Sequence, residues 1–335
     1  MAGAGDVFAE FWDTKGYVVA DGAMGTRLFA LGLTSGDAPE RFNLLAPGRI
    51  RDVHRGHVRA GADLVLTNSF GANRARLRLH NLHERTLDLN EAAARIAREA
   101  AEAECRRDPR TVLVAGSMGP TGELLEPLGA MTAADCEQTF AEQAEGLAQG
   151  GVDLLWIETM SDLGEVEAAV RGTRRVCDLP VAVTMSFDVA GHTMMGTTGT
   201  EMAERLGPLE LAALGANCGN NLADTEAAAL DIAAALPEVP VVSKPNAGIP
   251  YWSGNTFHYT GTPEMLAAHA RRARQGGVRI IGACCGSTPD HIAEIAAALA
   301  GGHPGPAING PPAGGRKPSR PAPTPHRARS RRRRP

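Results

Sequence analysis

Eight short apolar runs recur along residues 17–285, and each ends in small or polar residues. They read YVVADGAMG (17–25), ADLVLTNSFG (62–71), TVLVAGSMG (111–119), VDLLWIETM (152–160), PVAVTMSFD (180–188), LAALGANCG (211–219), VPVVSKPNAG (239–248) and VRIIGACCG (278–286). Segments of helical periodicity rich in Ala, Arg and Glu separate them, such as EAAARIAREAAEAECRR (91–107), CEQTFAEQAEGLAQG (136–150) and TPEMLAAHARRARQGG (262–277). Near-continuous apolar strands alternating with helices indicate a parallel sheet covered on its outside. Eight such units predict an α/β chain folded as a single closed (β/α)8 TIM barrel over residues 1–302. An open doubly wound sheet is the runner-up, but DGAMG after the first run lacks the G-x-G-x-x-G phosphate spacing.

Charge divides the chain in two. Of 34 Lys and Arg, nine fall in residues 303–335, which contain no acid, so the body carries 25 basic against 38 acidic residues. The Pro/Gly/Arg-rich 303–335 segment is expected to be a disordered tail, because it has too little apolar surface to offset its ordering entropy. Its Arg331–Arg334 run could touch nucleic acid or an anionic membrane, with a solvated, functionally neutral tail the preferred reading. The acidic body argues against nucleic acid as the main partner. No run reaches the roughly 18 apolar residues of a membrane span, and the first residues, MAGAGDVFAEFWDTKG, lack a basic region followed by an apolar one. Six cysteines without a disulfide-type framework suit a reducing, cytoplasmic setting.

In a closed parallel barrel the chemistry sits at the C-terminal ends of the strands. Asp21, Asn68, Ser117, Glu158, Ser186, Cys218, Asn246, Cys284 and Cys285 occupy those positions in the eight runs. Any one of them alone reads as a turn residue or helix cap. Cys218 ends the sixth run, and Cys284 and Cys285 end the eighth. Adjacent cysteines rarely bridge each other, and alternate strands share a layer inside a barrel. Three thiolates directed at one point, with a fourth position open, is the ligand pattern of a catalytic zinc site. Such thiolate-rich zinc is a poor activator of water, so S-alkylation is favoured over hydrolysis. Cys105, Cys136 and Cys177 lie in helical or connecting segments and read as packing residues.

DGAMGT (21–26), TNSFGAN (67–73), GSMGPTGE (116–123), IETMSD (157–162), GANCG (215–219) and GACCGSTPDHI (282–292) together resemble the homocysteine S-methyltransferase family. The resemblance runs in order from about residue 15 to 300 and leaves the tail outside. It implies Zn2+ on Cys218, Cys284 and Cys285, and the homocysteine carboxylate against the Gly22–Ala23–Met24 backbone beside Asp21. The substrate ammonium would then meet Glu158, with Asn68 also in the substrate-facing set. PNAG (245–248) resembles the methionine synthase branch, where the Asn can fill the fourth zinc position before substrate arrives, which points to Asn246. In the vertebrate betaine branch a Tyr after the ETM-type Glu does this, and Thr159 stands at that position here.

The implied activity is methyl transfer from a small donor to the homocysteine thiol, forming methionine. Betaine is the first choice of donor, because SFDVAGHTMMGTT (186–198) and SGDAPERFN (35–43) look like bacterial betaine-type enzymes. A quaternary ammonium should meet aromatic faces, and Phe29, Phe42, Phe70, Tyr251 and Trp252 are the loop aromatics expected to supply them. The Tyr that the vertebrate betaine enzymes carry after the second strand is replaced by Gly71. An S-methylmethionine or sulfonium donor is an alternative, as is a non-catalytic subunit presenting homocysteine to a corrinoid partner. Homo-oligomerisation is compatible with this reading.

Overall fold

The computed structural model describes residues 6–34, 36–188, 190–253 and 256–301, so the expected tail from 303 onward lies outside the described residues. Each apolar run contributes one barrel strand. These are β1 (Val18–Val19), β2 (Leu64–Leu66), β3 (Leu113–Met118), β4 (Leu154–Met160), β5 (Val181–Met185), β6 (Ala213–Cys218) and β7 (Val241–Pro245). An antiparallel hairpin of β8 (Pro250–Ser253) and β9 (Thr256–Tyr259) follows, and β10 (Ile280–Ile281) completes the barrel. The parallel order is β1-β10-β7-β6-β5-β4-β3-β2, and a parallel bridge from Ala20 to Leu64 joins the two ends. The expected (β/α)8 barrel is formed.

Alternation along the strands explains why the runs are apolar throughout. One set of side chains, including Leu64, Leu113, Leu154, Trp156, Val242 and Ile280, fills the interior of the barrel. The other set, including Val65, Val114, Leu155, Ile157, Val183 and Ile281, packs outward against the helices. Alanines bring those helices close: Ala94, Ala97 and Ala101 of the helix Thr86–Cys105 belong to the outer cluster. Phe8 and Phe11 join the interior cluster. The short helix Ala9–Thr14 therefore stoppers the end where the strands begin, tied there by Lys15 to Asp63 at 2.6 Å and by Thr111 to Glu10. Burial of each large apolar side chain contributes about 1.5–3 kcal/mol. Most of the apolar burial thus lies in these two cores.

Several polar residues after the strands are helix caps. Asn73, Thr132, Asp162, Thr198, Asn221 and Thr262 each accept an N–H of the first helical turn. This divides the IETMSD motif: Asp162 caps the helix Leu163–Arg174, while Glu158 remains on the strand. Within the described residues no helix is long and apolar enough to cross a membrane.

Candidate metal and substrate site

Cys218 closes β6 with a backbone φ of +62°, and Gly219 follows at +77°. Left-handed backbone at a non-glycine residue is costly and clusters at functional sites. Cys284 and Cys285 lie in the turn after β10, which Gly286 completes at φ +79°. The three Sγ atoms lie within 4.8 Å of one another. Zn–S bonds of about 2.3 Å in a tetrahedron place sulfurs roughly 3.8 Å apart, so the cluster fits a zinc ion with little movement. The Cys218 thiol is pushed up to about 12: its bond with Cys284 lowers it, but that with Cys285 and burial raise it further. Cys284 is raised first by Cys218, and also by burial. A cation bound by the cluster would displace the thiol protons, since a coordinating thiol binds as its thiolate.

Two side chains hold the cysteine loops in place. Asn246 donates to Gly219 O at 2.7 Å, and its Oδ1 accepts the Cys285 N–H at 3.0 Å. It clamps one cysteine loop to the other, and the oxygen expected to reach the fourth metal position already serves that clamp. From the hairpin, Tyr259 hydrogen-bonds Cys285. Its ring lies so close to Gly286 that a Cβ there would come within 2.1 Å of it.

A polar layer spans the barrel mouth beside the cysteines. Glu158 sits in a register shift between β4 and β5, next to Thr159 at φ +59°. Such bulges re-aim side chains next to functional sites. Its carboxylate accepts from the Ser117 hydroxyl and from Asn217 Nδ2 at 3.4 Å. Burial pushes the Glu158 carboxyl above the usual carboxylate range, against the opposing pull of Lys244. Lys244, 3 % exposed, pairs with Asp21 at 2.7 Å. Burial alone would lower the Lys244 ammonium, but Asp21 and Glu158 outweigh it and raise it. The other Asp21 oxygen accepts the Leu66 N–H at 2.8 Å. Gly22 follows where a Cβ would meet Ser287 Oγ at 2.5 Å and His57 at 2.9 Å, so only glycine fits this turn. The Ala23 N–H already donates to Ser287 Oγ at 2.9 Å.

These groups open into one pocket of about 430 Å³. Its lining includes Asp21, Gly22, Ala23, Met24, Asn68, Glu158 and all three cysteines, so residues from both halves of the sequence converge on it. The arrangement offers a soft-metal cluster, a buried carboxylate and a tight turn around a space suited to a small amino acid.

A model of the homocysteine S-methyltransferase family matches residues 18–299. The chain belongs to the homocysteine S-methyltransferase family. The methionine synthase of Mycobacterium tuberculosis is 34 % identical over 295 residues, covering 84 % of this chain and 24 % of its own length. The Mycobacterium leprae methionine synthase is also 34 % identical over 295 residues, with the same coverage of both chains. This chain therefore spans about a quarter of the length of these curated relatives. The metallated form of the homocysteine methyltransferase MmuM from Escherichia coli superposes with a TM-score of 0.75 at 28 % identity, covering 87 % of this chain and 99 % of that one.

Among the family features expected here, the donor aromatics are the least well assembled. Phe70 lines the pocket, but Phe42 and Tyr251 do not. Phe42 packs with Met24 against the cluster of Leu28, Leu33 and Ile50, under the Arg49 guanidinium. Tyr251 lies on β8, half exposed and stacked on His258, and Phe29 is exposed. The Trp252 side chain lies outside the described residues. Asn68 reaches the pocket lining but donates its amide to Pro39 O and Asn43 Oδ1, both at 2.9 Å, which anchors the 39–43 segment. Sequence reasoning assigned nothing to Lys244, Asn217, Tyr259, Glu40 or Arg76. For Lys244 a signal existed, since it stands two positions before Asn246 on a strand whose other residues are apolar or small.

Proposed function

We propose that this chain transfers a methyl group from a small onium donor, betaine first among them, to the thiol of homocysteine, using zinc held by Cys218, Cys284 and Cys285. The observation that carries this reading is the cluster of three Sγ atoms opening into the pocket that Glu158 and the Gly22–Met24 turn also line. Bound zinc would supply the positive charge that keeps a substrate thiol ionised at neutral pH. Glu158, steadied by Ser117 and Asn217, receives the substrate ammonium. The Gly22–Met24 turn faces the carboxylate, chiefly through the neighbours of Ala23, whose N–H is already engaged. Thus oriented, the sulfur attacks the methyl carbon in line. An S–C bond forms, the onium C–N bond breaks with its electron pair leaving on the amine, and the thiol proton passes to solvent. Likeness to the methionine synthases supports a second reading, a module presenting homocysteine to a methylated corrinoid partner. Methionine formation from betaine by the purified chain separates the two.

Glu158→Gln tests the substrate assignment. A charge-assisted hydrogen bond contributes roughly 1.5–3 kcal/mol, so homocysteine affinity is expected to fall roughly ten- to a hundred-fold with zinc content intact. Unchanged affinity together with loss of metal would instead put Glu158 among the zinc ligands.

A further inference from the structure

The wall of the pocket carries a second pair of opposite charges, Glu40 and Arg76, which the proposed homocysteine contacts leave unused. Glu40 is 4 % exposed, and its Oε1 accepts the Gly71 N–H at 2.7 Å. The Arg76 guanidinium lies 6.0 Å from the Phe70 ring centroid, and among the described residues it has no carboxylate within ion-pair distance. Arg74, two positions earlier, is instead bound at 2.7 Å to Glu142 and at 3.0 Å to Glu84.

Glycines shape the slot around these side chains. A Cβ at Gly119 would come within 2.5 Å of the Phe70 ring, and one at Gly122 within 3.3 Å of an Arg76 terminal nitrogen. At Gly71 it would meet Glu40 Oε1 at 2.9 Å and Arg76 Nε at 3.6 Å. The loops after β2 and β3 thus leave room for a flat guanidinium backed by a ring, in a pocket that also contains the cysteines. A guanidinium presents a rigid fork of donors that matches a carboxylate.

We infer that Arg76 binds a carboxylate of the methyl donor, with Glu40 beside the donor's cationic centre, so that the site selects small zwitterionic onium donors. This rests on the homocysteine methyl-transfer reading and specifies its second substrate. It shifts donor recognition from an aromatic cage to a charge pair. Phe70 backs the guanidinium and does not serve as an open face for the onium.

The experiment uses zinc-loaded full-length protein, homocysteine and two donor pairs that differ only in the carboxylate: betaine against tetramethylammonium, and dimethylsulfonioacetate against trimethylsulfonium. Wild type is expected to favour the carboxylated member by roughly ten- to a hundred-fold in kcat/KM, the range of one charge-assisted contact. Arg76→Gln should erase that preference by raising the KM of the carboxylated donors while the KM for homocysteine stays put. Arg76→Lys should restore part of it. A preference that survives in Arg76→Gln, or none in wild type, overturns the inference. If no donor yields methionine, the methyl-transfer reading has failed, and calorimetric binding of betaine decides the subsite. Weaker binding to Arg76→Gln than to wild type upholds it, and equal or absent binding overturns it.

Discussion

Cys284→Ser is expected to abolish methionine formation and to lower zinc content from about one ion per chain to a small fraction of that. Groups that merely orient a metal ligand contribute roughly 10–100-fold to metal affinity, and removal of a ligand itself costs more. The barrel should remain folded, because neither of its two large cores contains Cys218, Cys284 or Cys285. Far-ultraviolet circular dichroism and the thermal midpoint should therefore stay close to wild type while metal analysis and activity collapse. Cys136→Ser is the control: that thiol is buried in the outer core, remote from the cluster, and its loss should leave zinc unchanged. Stoichiometric zinc and full turnover in a Cys218→Ser, Cys284→Ser double variant would remove the cluster from the chemistry.

Lys244→Met should destabilise the fold by about 3–5 kcal/mol, the usual cost of stranding one partner of a buried ion pair. Lys244 and Asp21 are 3 % and 2 % exposed, and without the ammonium one Asp21 oxygen loses its 2.7 Å partner inside the barrel mouth. Methionine fills the volume of the lysine stem, so the loss reports charge and not packing. Asp21→Asn combined with Lys244→Met should recover part of the stability, because the stranded Asp21 charge is removed and only the weaker pull of Lys244 on Glu158 is lost. Urea unfolding of wild type and the two variants measures this. A Lys244→Met variant as stable as wild type would mean that water reaches the pair.

The barrel was legible because a parallel strand covered on both faces must be apolar at successive positions, and that demand marks all eight runs. The thiolate cluster was legible because cysteine is rare in this chain and two of six are adjacent at a strand end. Lys244 was not, since burial of a lysine depends on a partner 223 positions away in sequence. The Asn246 clamp was hidden for the same reason: its partners Gly219 and Cys285 come from two other strand ends. The β8–β9 hairpin had a local signal that went unused, for YWSGNTFHY sets aromatic, strand-forming runs on either side of a Gly-Asn pair. Its consequence, Tyr259 lying against the cysteine turn, follows only from the way the hairpin folds back. Phe42 and Tyr251, expected in the donor cage, do not line the pocket, because exposure and partner choice in loops are set by packing that no short-range pattern encodes.

Zinc-edge X-ray absorption, recorded with and without homocysteine, tests the central claim most directly. Three sulfur neighbours are expected around zinc in the protein alone, from Cys218, Cys284 and Cys285, and four once homocysteine is added. A sulfur count that stays at three with saturating homocysteine, or that never reaches three in the protein alone, would contradict a cluster built to receive the substrate thiol.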